Sequence, residues 1–183
     1  MAAIIDDLHQ DHVNAAQVLK IAERTLGSVE AGEDADFSLL EDAMRYITGY
    51  SDTHHHPVED IVFRQLRKRS PQMAAEIDAI AAEHDSIIMK GKRFLDSVAA
   101  VEEGALVPRS ALVNRGREYL STLSKHMDLE ESTLFPAAAT MLDESDWESV
   151  SKRIDCRPDP LFGTSLDEDY RRLWKLIQLH DRD

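Results

Sequence analysis

The chain has 183 residues, of which 43% are hydrophobic and 31% charged, the balance expected of one ordinary globular domain. Its 21 Lys and Arg residues stand against 35 Asp and Glu, and the resulting net charge of −14 repels phosphate backbones and anionic lipid, which argues against nucleic-acid and membrane partners. A lone cysteine, Cys156, fits a reducing compartment, and neither a secretory signal nor a membrane-spanning run is visible, so we expect a soluble cytoplasmic protein.

Apolar residues repeat at helical spacing along most of the chain, which predicts an all-α fold. Gly27 and Gly104 are expected to stop helices, and Ser70 followed by Pro71 is typical of an N-cap and a first helical position. The predicted helices run over residues 4–26, 37–69, 71–103 and 108–135, followed by a short helix over 147–154 and an amphipathic helix over 166–177.

The four long helices predict an up-down-up-down four-helix bundle over residues 1–141. Residues 142–183 are expected to form a helical extension, in which Asp143 or Ser145 caps the short helix. The last helix carries an apolar stripe that needs a partner surface, and we expect it to pack on the bundle of its own chain rather than at a dimer seam. The stripe consists of Leu166, Tyr170, Leu173, Trp174 and Ile177.

Two copies of one phrase carry the chemistry of this chain. Both read His-x-x-x-Glu followed by a second acidic residue, once at 55–60 and once at 126–131. Residues four apart share a helix face, so each phrase presents an imidazole and a carboxylate on the same side. A lone histidine after an acidic residue precedes each phrase at a matching distance, as in a repeated αα-hairpin. The resulting candidate metal ligands are His12, His55, Glu59, His84, His126 and Glu130.

The spacing of these candidates along their helices predicts that they meet in one layer. At about 1.5 Å per residue, His12 lies about 21 Å before the end of its helix and His55 lies roughly 25–27 Å into the next. His84 and His126 lie about 28 Å and about 27 Å from the turn that joins their helices. Antiparallel helices therefore bring the ligands to the same height, where bundles build metal sites from inward side chains.

Proline 57 falls between two of these candidates, inside the second predicted helix. A proline within a helix removes a hydrogen bond and clashes with the preceding turn, at a cost of about 3 kcal/mol or more. Such a violation of local propensity is expected where function overrides it. We therefore expect a kink at the site rather than a complete break of the helix.

Four imidazoles and two carboxylates suit two divalent ions of the iron or manganese type, with zinc as a further alternative. Structural zinc would favour a closed tetrahedral site with cysteine. The Glu-x-x-His signature of ferritin-like di-iron proteins is absent around every histidine of the sequence. His56, Glu83 and Asp11 remain open as additional ligands.

These residues resemble the hemerythrin-like, or HHE cation-binding, family over about residues 4–140. The elements that carry the resemblance are His12, the phrase from His55 to Phe63, the pair Glu83-His84, and the phrase from His126 to Pro136. The resemblance implies two iron ions with a bridging oxo, hydroxo or water group between them. It also implies that Glu59 and Glu130 bridge the ions, with His12 and His55 on one ion and His84 and His126 on the other.

The sequence departs from the oxygen-carrying members of the family in its third helix. Those proteins have two histidines four residues apart there, whereas this chain has Ile80 four residues before His84. Each ion would then have about five ligands, and both would keep an open position. Such a centre is better suited to reacting with O2, NO or peroxide, or to holding labile iron, than to simple reversible oxygen carriage.

Three functions follow from this sequence as hypotheses. The first is a non-haem di-iron protein that binds or reacts with O2, NO or peroxide as its small-molecule partner. The second is a non-catalytic iron store or sensor, and the third is a helical interaction module with a vestigial site. The fold alone does not separate them. Metal content and the reaction of the reduced protein with O2 do, while the oligomeric state stays open.

Overall fold

The computed structural model describes residues 2–155 and 157–180, so Cys156 lies outside the described residues. The predicted all-α class is confirmed, and no strand occurs within these two ranges. The α-helices are α1 (Ala2–Ala31), α2 (Phe37–Tyr46), α3 (His56–Arg69), α4 (Ala74–Glu102), α5 (Arg109–Leu129), α6 (Phe135–Met141), α7 (Glu144–Ser151) and α8 (Arg171–His180).

Two π-helical segments join successive α-helices without interrupting them. Ile47–His55 links α2 to α3, and Glu130–Leu134 links α5 to α6. Each π-helical segment is followed by a proline near the start of the next α-helix, Pro57 in α3 and Pro136 in α6. Short 3-10 turns over Pro71–Met73 and Glu168–Tyr170 precede α4 and α8.

The π-helical segment explains how the helix passes Pro57 without breaking, as expected from the sequence. The backbone N–H of His56 donates to the carbonyl of Ser51, five residues back rather than four. This wider turn makes room for the proline ring, and π-helical turns of this kind are frequent at functional sites. Pro136 likewise lies one residue after Phe135, whose N–H donates to the carbonyl of Glu130.

The helix ends confirm some of the predicted stops and correct others. Gly104 has a φ of +87° just after α4, which confirms it as a stop. The stop predicted at Gly27 is wrong, because α1 continues to Ala31 and Gly32 adopts a φ of +77° in its place. Ser70 is the N-cap of the 3-10 turn that leads into α4 and Pro71 begins that turn, as predicted, although the Ser70 side chain makes no capping hydrogen bond. Asp143 does cap α7, in a reciprocal capping box.

Four helical segments surround a common core. Helix α1 packs against α2 and α5, and α4 packs against the same two helices. Buried apolar side chains form two clusters, one of which includes Leu40, Met44 and Phe94. The second lies towards α3 and α6 and includes Val62 and Phe63. Along every long helix the candidate ligands fall between residues of the two clusters, so the polar layer is enclosed by apolar layers on both sides.

The C-terminal segment lies on the same core. Leu173 and Ile177 of α8 are buried in the first apolar cluster, and Trp174 packs edge-on to Phe162 with ring centroids 5.7 Å apart. The turn before it depends on Gly163, where a Cβ would lie 2.3 Å from the backbone oxygen of Asp159. Within the described ranges, no helix is long and apolar enough to cross a membrane.

Candidate metal centre

The six predicted ligands lie on α1, α3, α4, α5 and the two π-helical segments, and all are buried. Glu59 and Glu130 have no solvent exposure at all. Glu130 begins one π-helical segment and Glu59 lies four residues after the other, and the wider turn shifts the direction of side chains relative to a regular α-helix. The histidines approach them from four directions around the bundle interior, so the structure brings all six residues together.

One half of the cluster is formed by His12 and His55. Their Nε2 atoms lie 3.0 Å apart. Oε1 of Glu59 lies 3.1 Å from Nε2 of His55 and 3.6 Å from Nε2 of His12. Oε2 of Glu130 lies 3.5 Å from Nε2 of His12. Two imidazoles and one oxygen of each carboxylate therefore converge on a single point.

The other half is formed by His84 and His126 with the remaining carboxylate oxygens. Oε2 of Glu59 lies 3.4 Å from Nε2 of His84. Oε1 of Glu130 lies 3.5 Å from Nε2 of His84 and 3.3 Å from Nε2 of His126. Each carboxylate thus directs one oxygen to each pair of imidazoles, an arrangement that can serve two adjacent cations at once.

The Nδ1 atoms of the four histidines all point away from the cluster, towards acidic side chains. Metal-ligating histidines usually make such a contact, because it fixes the tautomer and the ring orientation. The acids come from the residues just before or just after the candidate ligands of other helices. The pairs are His12 with Glu131 at 2.9 Å, His55 with Asp11 at 3.0 Å, His84 with Asp60 at 3.1 Å and His126 with Glu83 at 3.1 Å.

These contacts decide the role of two residues that the sequence left open. Asp11 and Glu83 hold histidine rings by Nδ1 rather than pointing into the cluster. Sequence reasoning missed Asp60 and Glu131 as partners, although the repeated second acid in each phrase was the signal. An acid one position from a ligand lies on a different side of the helix, and so it can reach a ring on a neighbouring helix.

His56 also lies in the cluster, where the sequence had left its role open. It is buried, and its ring stacks on that of His84 with centroids 4.4 Å apart. A ring nitrogen of His56 and ligand atoms of Glu59, His84 and His126 all lie within 4.8 Å of one another. His12, His55 and Glu59 form a second group with the same property.

Unpartnered buried atoms show that the donor set fits cations. Among the described residues, both oxygens of Glu59 and of Glu130 and the Nε2 atoms of His84 and His126 are buried and have no hydrogen-bond partner. Burying carboxylates without a partner costs several kcal/mol, so such atoms need a compensating charge. Imidazole and carboxylate donors in this number suit divalent iron, manganese or zinc.

Without a metal, protons take the place of the missing charge. Burial alone lowers the pKa of His55, but the nearby charge of Glu59 and the contact with Asp11 outweigh it and raise the pKa to about 10. For His84, contacts with Asp60, Glu130 and Glu59 likewise outweigh burial, and the pKa rises to about 11. The metal-free site therefore holds imidazolium ions at neutral pH, and cation binding must displace their protons.

Two cavities lie beside the cluster. The smaller has a volume of about 10 Å3, room for about one water-sized molecule, and is lined by His12, His55, His56, Leu123 and Met127 among others. The larger, about 370 Å3, lies between α1, α3 and the C-terminal segment. Asp11 and Tyr50 line both cavities, and the Tyr50 hydroxyl lies 3.4 Å from the Asp11 carboxylate.

Comparison with known proteins agrees with this geometry. No curated protein matches the chain. The sequence model of the family described as hemerythrin HHE cation binding domain matches residues 3–138, which contain every candidate ligand. The chain therefore belongs to the hemerythrin HHE cation-binding domain family.

Proposed function

We propose that this protein is a non-haem di-iron protein that binds or reacts with O2, NO or peroxide. The observation that carries the proposal is the orientation of the two buried carboxylates. Glu59 and Glu130 each offer one oxygen to the His12 and His55 side and the other to the His84 side. A carboxylate pair placed in this way is suited to bridging two ions, which a single-metal site does not need.

In this proposal His12 and His55 hold one ion, and His84 and His126 hold the other. Glu59 and Glu130 bridge the two, together with an oxo, hydroxo or water group. When bound, the pair of iron ions would supply the redox chemistry and the position at which the small molecule binds. Manganese and zinc are the alternative metals for the same donors.

The chain itself orients the imidazoles, excludes bulk water from the ligands and limits the size of the molecule that can bind. The acidic partners at Nδ1 hold each imidazole in the tautomer that leaves Nε2 for an ion. The apolar clusters on both sides keep bulk water from the ligands. The cavity next to His12 and His55 has room for about one water-sized molecule, which favours a diatomic or peroxide partner over a larger substrate.

The remaining architecture belongs to the same proposal. Short connections between successive long helices support an up-down-up-down order for the four helical segments. Residues 1–141 would form the metal-binding bundle, and residues 142–183 the extension that packs on it. A cytoplasmic location stays a prediction from the lone cysteine. If the protein were a non-catalytic iron store or sensor, the same ligands would hold metal without reaction.

Elemental analysis together with optical spectra tests the proposal. Protein produced with ample iron is expected to contain about two iron ions per chain, one for each imidazole pair. Anaerobically reduced protein should change its near-ultraviolet and visible spectrum within seconds of exposure to air or nitric oxide. One ion or none per chain would contradict the di-metal site. About two ions with no spectral change would favour the store or sensor.

A further inference from the structure

The two halves of the internal repeat differ at one pair of positions beside the ligands. In the first half His56 follows the ligand His55, and Asp52 lies four residues before His56. At the equivalent positions of the second half, Met127 follows His126, and Leu123 lies four residues before Met127. The repeat therefore carries an imidazole and a carboxylate in one half and two apolar side chains in the other.

We infer that His56 is a fifth imidazole ligand, positioned by Asp52, and that it makes the two ions unequal. The inference rests on the proposed di-metal function and goes beyond it, because it assigns three imidazoles to one ion and two to the other. The ion with three is the one held by His84 and His126. The ion held by His12 and His55 keeps the open position.

The surroundings of His56 are those of a ligand rather than of a packed core histidine. Its ring stacks on His84 and meets His126 edge-on, with centroids 4.4 Å and 5.7 Å away. One of its ring nitrogens belongs to the same compact group of donor atoms as Glu59, His84 and His126. Core histidines that are not ligands are normally hydrogen-bonded. Nδ1 of His56 is instead buried without a hydrogen bond in the described structure.

Asp52 repeats for His56 what four other acids do for the predicted ligands. Its Oδ1 lies 3.6 Å from Nδ1 of His56, four residues later on the same helix, and this oxygen is buried without a hydrogen-bond partner among the described residues. A small closure would complete the contact. Nδ1 would then be occupied by the carboxylate, which leaves Nε2 of His56 for an ion.

The other half of the site has no such donor. Leu123 and Met127 line the cavity of about 10 Å3 beside His12 and His55. The leucine has no polar atom, and a methionine thioether is a soft ligand that ferrous iron does not favour over imidazole. The internal repeat thus offers a further ligand on one side and leaves a small unfilled space on the other.

Proton NMR of the iron(II)-loaded protein counts the ligated rings directly. Each ligated imidazole contributes one exchangeable Nδ1–H signal that the paramagnetic ion shifts far outside the ordinary range and that disappears in D2O. The wild type is expected to show five such signals, from His12, His55, His56, His84 and His126. Four signals with two bound ions would overturn the inference, whereas a chain that fails to bind two ions would overturn the proposed function instead.

The neighbouring histidines provide a matched pair of variants. His56→Leu is expected to lose one signal, and His54→Leu, one residue before the ligand His55, is expected to keep all of them. In Asp52→Asn the signal that moves most should be the one missing from His56→Leu, because Oδ1 of Asp52 lies 3.6 Å from Nδ1 of that ring. If Asp52→Asn moves other signals or none, Asp52 does not position His56.

Titration with nitric oxide tests the inequality of the ions. Anaerobically reduced wild type is expected to bind about one NO per pair of ions, on the His12 and His55 side, and His56→Leu about two. Two NO molecules per pair in the wild type would show two open ions and overturn the inference. His54→Leu again serves as the control and is expected to match the wild type.

Discussion

At the scale of single residues, the candidate metal centre contains two sets of acidic side chains with different roles. Glu59 and Glu130 are fully buried between the histidines, and the outer acids hold the rings from behind. Losing an inner carboxylate would remove an oxygen from both proposed cation positions at once. Losing an outer one leaves the ring in place with a weaker orientation.

Variants of the adjacent residues Glu59 and Asp60 distinguish the role of an inner carboxylate from that of an outer one. Glu59→Ala is expected to lose both ions, because its two oxygens face the two imidazole pairs. Asp60→Ala removes only the partner of His84 Nδ1 and should retain both ions with an affinity lowered about 10–100-fold. Elemental analysis after gel filtration, followed by competition with a chelator, measures both. Two firmly bound ions in Glu59→Ala would show that this residue does not bridge.

The raised pKa values of His55 and His84 predict how the metal-free protein responds to pH. Their folded pKa values of about 10 and about 11 lie above the ordinary value of 6.5. Their contribution to stability is therefore complete below about pH 6.5 and is lost as pH rises through about 10 to 11. Each retained proton changes the free energy of unfolding by about 1.4 kcal/mol per pH unit in this window.

Urea unfolding of the metal-free protein between pH 6 and pH 10 measures this effect. The unfolding midpoint is expected to fall as pH rises, and the slope should be smaller in His84→Gln. The metal-loaded protein is the control, because coordination keeps the imidazoles neutral at every pH in this range. A midpoint of the metal-free protein that does not change, or that rises with pH, would contradict the prediction.

At the scale of elements, the sequence predicted the helices and the layer of ligands but not how the helices accommodate them. Helical periodicity and paired phrases are local signals, so the existence of the long helices and the convergence of six side chains could be read from them. A π-helical segment has the same periodic appearance over a few residues. Pro57 indicated an irregularity in the helix, but the sequence did not predict that Ile47–His55 would form a π-helical segment.

Long-range choices account for the remaining differences. Gly27 resembles a helix stop, yet tertiary packing of Leu26 and Val29 in the first apolar cluster carries α1 to Ala31. The direction of the His56 side chain depends on the π-helical turn just before it. A π-helical turn rotates the side chains that follow it relative to their positions in a regular α-helix. Single-sequence periodicity assumes regular helices, so it could name His56 as an open possibility and not place it.

At the scale of the whole molecule, the C-terminal segment ties the bundle to the larger cavity. Residues of this segment, including Arg157, Asp159 and Phe162, line the cavity of about 370 Å3. Asp159 also accepts a hydrogen bond from the Tyr46 hydroxyl at 2.9 Å, next to the π-helical segment that carries His55. Packing of the C-terminal segment on the bundle therefore supports the helical segment that positions His55 in the candidate metal centre.

Truncation of a buried side chain in α8 tests this packing. Leu173 has 0% exposure and lies in the first apolar cluster, so Leu173→Ala should lower the free energy of unfolding by about 2–5 kcal/mol through lost burial and a residual cavity. Leu179→Ala is the matched control on the same helix, since Leu179 is 60% exposed and should change stability by less than about 0.5 kcal/mol.

Denaturant unfolding and sedimentation, each over a range of protein concentrations, show whether the loss of stability arises within one chain or between subunits. Packing within one chain predicts a loss that does not depend on concentration. A stability loss in Leu173→Ala that appears only together with dissociation of a dimer would instead assign this face of α8 to a contact between subunits.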